Sequence, residues 1–321
     1  IETPGGLKIQ TIHSFCASIL RRFPLEAQVS PQFKEMEDRS AALLRADIVD
    51  QMVESADAAV VERLTAFLTD MDFNGITAEV TNARTALAEP LSDAQVKALF
   101  GLTEEADEEW LLARVFLGGE MELLAEVADV LAGSGANDQK AAAKLKSISA
   151  PDMAALPVLE NVLLNGAKAK AGPYSAKIGT FPTKGMREGP LAGLMPRLED
   201  LMRRVEDARE PRCALVATRK TQALQGFAAA FLPRYEAAKL ARGWLDFDDL
   251  IHKTLGLLTD RRVAEWVLYR LDGGIDHILV DEAQDTSPVQ WQVIEKLAQE
   301  FTSGEGARAD VHRTIFVVGD K

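Results

Sequence analysis

The stretch Ile278-Leu279-Val280-Asp281-Glu282-Ala283-Gln284-Asp285-Thr286 decides the fold of this chain. Three apolar residues run straight into two adjacent carboxylates. A buried parallel strand that delivers acids to the carboxyl edge of a sheet has this form. Neighbouring strand residues point to opposite faces, so the two acids cannot both be regular strand positions. Asp281 is therefore expected to end the strand and Glu282 to belong to the turn. A helix start follows, with Ser287 as N-cap, Pro288 at the first helical position and Gln290 completing an S-x-x-Q capping box. Val293, Ile294, Leu297, Ala298 and Phe301 then fall on one helical face.

Two acids at a strand end suit phosphoryl-transfer chemistry. Mg²⁺ takes oxygen ligands and keeps several waters, so a single carboxylate can hold it. The second carboxylate is then free to orient or deprotonate an attacking water. An acidic strand end that merely caps the next helix satisfies a bare Asp-Glu pair equally well.

The longer string separates these readings. Asp-Glu-Ala-Gln-Asp-Thr after an apolar strand resembles the Walker B element of superfamily 1 DNA helicases of the UvrD/Rep/RecB kind. Thr11-Ile12-His13-Ser14-Phe15-Cys16 resembles an early DNA-contacting motif of that family. Leu245-Asp246-Phe247-Asp248-Asp249-Leu250-Ile251 resembles its D-F-x-D-L segment, and Ile315-Phe316-Val317-Val318-Gly319-Asp320 the opening of its motif III. Asp-Thr-Ser-Pro-x-Gln-Trp after the acids is most similar to AddA-type helicase-nuclease subunits of double-strand break repair. The motifs cover about 30 of 321 residues and occur in the family's order.

Composition bounds the rest. The net charge of −13 argues against a generally basic nucleic-acid binder. The charge is uneven: Lys34 to Leu131 holds 22 acids and 7 bases, whereas Ser134 to Pro190 holds 4 acids and 8 bases. A DNA track must therefore be local. Cys16 and Cys213 are too few for a metal cluster or a disulfide framework, and two buried free thiols in a reducing, cytoplasmic setting are expected. No apolar run approaches the roughly 20 residues of a membrane span, and no secretory signal is visible.

Taken in order, Lys8 to Ile12 reads as a short strand, with Ser14 capping a helix that Pro24 stops. A helical pattern runs from Asp38 to Gly133, including a second S-x-x-Q start at Ser92 and Gln95. The acids Glu104, Glu105, Asp107, Glu108 and Glu109 sit at a helix start, where negative charge is favoured. Between Gly133 and Pro190, Lys140, Lys144, Lys146, Lys168, Lys170, Lys177 and Lys184 are interleaved with Tyr174 and Phe181. Charge plus stacking suits single-stranded nucleic acid, and a flexible, soluble linker is the alternative. Helix returns at Leu191–Arg209 and Ala214–Arg242, with a kink or break expected at Pro233 and a stop at Gly243. Asp246 is expected to cap a helix beginning at Phe247, with Asp249 at its third position, so these aspartates read as caps rather than catalysts. One more helix spans Asp260–Leu271, Gly273-Gly274 lead into the Walker B strand, and a further strand covers Thr314–Val318.

The fold class expected is α/β and helix-dominated. The resemblance implies a partial RecA-like P-loop motor sheet interrupted by a large all-helical insert, the 1B-type subdomain. Residues 1–24 and 243–321 would belong to motor domain 1A, and residues 25–242 to the insert. For the site it implies that Asp281 holds Mg²⁺ and Glu282 activates water. It also implies that Gln284 couples the γ-phosphate state to DNA binding, with Gln284 and Asp285 on the ATP side. Thr11, His13 and Phe15 become DNA-contact candidates, and Lys168, Lys170, Lys177 and Lys184 join them from the basic stretch. ATP and Mg²⁺ are the cofactors implied. The partners implied are DNA, as single strand and duplex junction, and an AddB-like subunit, with a nuclease elsewhere in the parent protein. No G-x-x-x-x-G-K-[ST] loop occurs here, so an internal fragment, inactive in ATP hydrolysis by itself, is expected. A catalytically silent helical scaffold or DNA-binding module is the rival reading.

Overall fold

The computed structural model describes residues 9–68, 73–170, 172–272, 275, 277–302 and 313–320. The chain forms two compact units. One combines residues 1–88 with 228–321, and the other is residues 89–227.

In the first unit, α1 (Ile12–Arg22) is followed by β1 (Lys34–Glu35), α2 (Asp38–Val53), α3 (Ala58–Thr65) and α4 (Phe73–Asn82). The second unit contains α5 (Asp93–Leu99), α6 (Glu108–Val115), α7 (Glu120–Ala132), α8 (Ala136–Lys146), α9 (Ala155–Leu163) and α10 (Lys184–Glu188). Helix α11 (Met195–Arg242) begins in the second unit and ends in the first. The first unit closes with β2 (Trp244–Leu245), α12 (Phe247–Thr259), α13 (Ala264–Asp272), β3 (His277–Val280), a 3₁₀ turn at Ala283–Asp285, α14 (Pro288–Thr302) and β4 (Thr314–Val317).

Helix α12 organises the first unit. Its apolar stripe of Leu250, Ile251, Leu257 and Leu258 is buried against Cys16, Ala17, Ile19 and Leu20 of α1, Val267 and Leu271 of α13, and Val293 and Leu297 of α14. Each such aliphatic side chain contributes about 1.5–3 kcal/mol of burial. Strands β3 and β4 pair in parallel, with Val280 beside Val317. A crossover through α14 is the connection that parallel pairing requires.

Several expectations are corrected. Helix α1 starts at Ile12 and is capped by Thr11, whose side chain accepts from the Ser14 amide at 3.2 Å. Residues 9–11 are irregular, and Lys8 lies outside the described residues. A hydroxyl three positions ahead of a free amide outcompetes the short apolar run as a strand signal. Helix α11 runs unbroken through Pro233. Cys16 is buried, but Cys213 is exposed on α11. Strand β3 is not buried on both faces. Ile278 packs against the α12 core, while Leu279, on the opposite face, is 69% exposed. The Gly273-Gly274 pair and the Phe301 side chain lie outside what the structure describes.

The basic stretch is folded rather than a linker. Leu145, Leu156, Leu159, Val162 and Leu163 of α8 and α9 join Leu123, Leu124, Val127 and Leu131 of α7 and Leu198, Leu201 and Val205 of α11 in one core. Buried Glu120 anchors it by accepting from Arg204 at 3.0 Å and from the Gly118 amide at 2.7 Å. Burial raises the Glu120 carboxyl, but these donors together hold it below the usual carboxylate range.

Candidate nucleotide site at the strand edge

The site begins where β3 runs out. Val280 is the last paired residue, and its carbonyl accepts from the Val318 amide at 2.8 Å. Asp281 leaves the ladder, as expected of the residue that ends the strand. Glu282 turns the chain with φ 52° and ψ 46°, the left-handed region that non-glycine residues rarely occupy. Such a conformation costs about 1–2 kcal/mol and needs surrounding structure to hold it. The Glu282 amide donates to Asp281 Oδ1 at 3.1 Å, and its carbonyl accepts from the Asp285 amide at 2.9 Å. The Ser287 box then starts α14, with Ser287 N donating to Gln290 Oε1 at 3.0 Å.

The left-handed turn aims Gln284 back across the site. Its Nε2 donates to Glu282 Oε2 at 2.5 Å, and its Oε1 accepts from the Asp320 amide at 3.0 Å. The Ala283 amide meanwhile donates to the Val318 carbonyl at 2.9 Å. One side chain thereby joins the acidic turn to a segment 36 residues away. In-register pairing of β3 with β4 makes this possible, because both strands end at the same level. Gly319 leaves room for this link: a Cβ would stand 2.8 Å from Gln284 Oε1 and 3.1 Å from the Ala283 Cβ, so the glutamine would have to shift.

Asp281, Glu282, Gln284 and Asp285 are all exposed at the surface, with Ala283 half-buried among them. Among the described residues neither Asp281 nor Glu282 is in an ion pair. No cluster of three or more His, Cys, Asp or Glu among them is placed to hold a metal by itself. An oxygen donor without a cationic partner, at a strand's carboxyl edge, fits a hard cation that brings its own waters and phosphate oxygens. It does not fit a closed structural metal site.

The other sequence-selected residues lie elsewhere. Thr11 is committed to capping α1, and Phe15 packs on the first unit's core. The half-buried His13 ring sits 5.0 Å from the Phe247 ring, so the Thr11 and Leu245 motifs meet through α1 and α12. Among the described residues no hydrogen bond joins this group to Asp281–Asp285. Lys168 and Lys170 belong to the irregular segment after α9, and Lys184 pairs with Glu188 at 3.7 Å. Lys177 is half-buried and donates to the Val162 carbonyl at 2.7 Å, capping the last turn of α9.

Asp246 and Asp249 form the expected capping box at the start of α12. Nothing in the local sequence signals what surrounds them. Arg84 donates to both Asp246 oxygens at 2.8 and 2.9 Å and to Asp249 at 3.1 Å. Lys239, only 2% exposed, reaches Asp246 at 2.8 Å and Asp249 at 2.7 Å. Burial raises the Asp246 carboxyl, but Arg84 and Lys239 together hold it well below the usual carboxylate range.

The chain has relatives among known proteins. The UvrD/REP helicase N-terminal domain model matches residues 3–321. The chain is 26% identical to the AddA subunit of an ATP-dependent helicase/nuclease from Exiguobacterium sibiricum, over 98% of the chain and 27% of that protein. It is 27% identical to the protein of the same name from Pelotomaculum thermopropionicum, over 98% of the chain and 27% of that protein. For the one from Geobacillus thermodenitrificans the identity is 25%, over 96% of the chain and 28% of that protein. The chain thus spans about a quarter of the length of the curated relatives it matches.

Proposed function

We propose a motor function from one premise: the chain belongs to the UvrD/REP helicase N-terminal domain family. In this reading it is the part of an ATP-dependent DNA helicase that carries the hydrolytic carboxylates, within an AddA-like protein acting in double-strand break repair and recombination. The name its relatives carry, that of an ATP-dependent helicase/nuclease component, supports this reading. It also supports a nuclease activity and a partner of AddB type elsewhere in the assembly. The first unit contributes motor domain 1A, and the helical residues between its two halves form the 1B-type insert.

The observation that carries the reading is the turn at Glu282. A strained left-handed backbone presents two exposed carboxylates at a strand end and links one of them, through Gln284, to the segment after β4. Strain of this kind persists only where the surrounding structure holds it, and it gathers at active sites and ligand clamps. Asp281 would hold Mg²⁺, which supplies charge neutralisation on the phosphates when bound. Glu282 would accept the proton of the attacking water through the oxygen that Gln284 leaves free. Gln284 and Asp285 would face the nucleotide, and Gln284 would report its γ-phosphate to the Gly319-Asp320 segment. Thr11, His13 and Phe15 would meet the DNA backbone, with Lys168, Lys170, Lys177 and Lys184 as a second contact region.

DNA-stimulated ATP hydrolysis by the full-length protein tests the proposal. Glu282→Gln should cut kcat on the order of 10²-fold while nucleotide and DNA binding persist. Asp281→Ala should also weaken Mg²⁺-dependent nucleotide binding. Equal turnover by wild type and Glu282→Gln would leave the silent scaffold as the better reading.

A further inference from the structure

The second unit contains a cavity of about 290 Å³ lined by Asn137, Lys140, Lys144, Asn161, Lys177 and Phe181, among others. Its position is fixed from three sides. Helix α8 supplies Lys140 and Lys144 one turn apart, α9 supplies Asn161, and the segment leading to α10 supplies Lys177 and Phe181. Lys144 donates to Asn161 Oδ1 at 2.5 Å, and Lys177 lies 3.5 Å from the Asn161 carbonyl, so two ammonium groups converge on one residue. Like charges this close oppose each other, and Lys177 is held below the usual lysine range by its burial and by Lys144. Among the described residues none of the three lysines is in an ion pair. The one acid on the cavity wall, buried Asp138, is occupied by the Ser134 and Thr183 hydroxyls at 2.7 and 2.6 Å and by the Thr183 amide at 3.3 Å. The Lys177 ammonium also stands 5.9 Å from the centre of the Phe181 ring.

Clustered cations without a counter-ion, beside an aromatic face, constitute a phosphate site with room for an attached base. The volume is at the small end for ligand cavities, which limits the occupant to about one nucleotide. We infer that this cavity binds one nucleotide phosphate, with Lys140, Lys144 and Lys177 on the anion and Phe181 beside the base. The phosphate is supplied either by a single strand passing through or by a free mononucleotide. The inference goes beyond the motor reading, since it would hold in a chain that never hydrolysed ATP.

The test uses the 321-residue chain and three probes: inorganic phosphate, thymidine monophosphate and a twelve-residue oligothymidylate. The first variant is Lys140→Gln with Lys144→Gln, both at exposed positions of α8. The charge-matched control is Lys34→Gln with Lys220→Gln, both exposed and outside the cavity. We expect the first pair to weaken oligothymidylate binding about tenfold or more. It should also flatten the logarithmic salt dependence by about 1.4 for two lost contacts to a single strand. The control pair should change both much less. Phe181→Leu should weaken oligothymidylate more than inorganic phosphate. Competition by thymidine monophosphate at similar affinity identifies a free nucleotide as the occupant; oligonucleotide binding without such competition identifies the strand. Equal losses for the two lysine pairs, or no probe sensitive to Lys140 and Lys144, overturns the site. Thermal melts of each variant separate lost binding from lost folding.

Discussion

Two acidic turns in the first unit make opposite use of the same residue types. At the start of α12, Asp246 and Asp249 are clamped by Arg84 and Lys239, away from most solvent. At the end of β3, Asp281 and Glu282 are exposed, are in no ion pair among the described residues, and are held by backbone geometry and one glutamine. Asp246 and Asp249 themselves make the capping box of α12, whereas Asp281 and Glu282 lie ahead of the Ser287 box that starts α14. The difference lies in what neutralises the charge. The clamped pair is neutralised by the protein, so its carboxylates are structural. The exposed pair is left for something that arrives from solution.

The largest expected effect breaks the clamped side of this comparison. Arg84→Met should destabilise the 321-residue chain by about 3 kcal/mol, because it leaves two carboxylates with one buried cation. Urea titration checks this. The pH dependence follows from the sign of the Asp246 shift. Its folded carboxyl lies below the unfolded value, so its contribution is complete above the ordinary aspartate range and is lost as pH falls below that range. Removing Arg84 raises the folded value toward the unfolded one, so the acid-induced loss should become smaller and be complete at a higher pH. A variant with an unchanged urea midpoint at neutral and at acid pH would show that the clamp is ornamental.

Next in size is the exposed side. Glu282→Gln should change the stability of the chain by less than about 0.5 kcal/mol, although it costs the full-length protein on the order of 10²-fold in kcat. One acidic turn thus answers to a denaturation curve and the other to a rate. Stability loss on Glu282→Gln comparable to that of Arg84→Met would merge the two classes.

Gly319→Ala tests whether the two strand ends act together. The added Cβ meets Gln284 Oε1 and the Ala283 Cβ. Overpacking of this kind costs about 1–3 kcal/mol, and Gln284 must release either Glu282 or the Asp320 amide. Turnover by the full-length protein should fall while Mg²⁺-dependent nucleotide binding, assigned to Asp281, changes little. Full activity in Gly319→Ala would separate the glutamine link from the chemistry.

Relief of strain should give a small gain in stability rather than a loss. Glycine occupies φ 52° without steric penalty, so Glu282→Gly should stabilise the chain slightly, by up to about 1 kcal/mol, while abolishing turnover in the full-length protein. A thermal melt beside a rate measurement reads both. If Glu282→Gly is strongly destabilising, the carboxylate is structural and the comparison fails at this residue.

The division between what the residue order reveals and what needs the fold is sharp here. Local signals are legible: the capping boxes at Ser92, Asp246 and Ser287, the end of α11 at Gly243 with φ 62°, and the departure of Asp281 and Glu282 from the strand. Each depends on residues within about four positions of one another, where backbone geometry is set by sequence. The start of α1 is ambiguous for the same kind of reason, since two hydroxyls three residues apart, Thr11 and Ser14, offer competing caps. The basic stretch is harder, because spaced lysines describe a surface and say nothing of the Leu145, Leu159 and Val162 core beneath it.

The acidic strand end, its turn and the helix after it are legible in the residue order, because they rest on short-range hydrogen bonding and alternation along one chain. Which acids are neutralised depends on long-range packing. Arg84 lies 162 residues from Asp246, and Asp320 lies 36 residues from Gln284. Tertiary structure also collected Lys140, Lys144 and Lys177 around one cavity. Coulomb interactions and hydrogen bonds act over a few ångströms of space, whatever the separation along the chain. A carboxylate's role is therefore set by neighbours that its own segment does not contain.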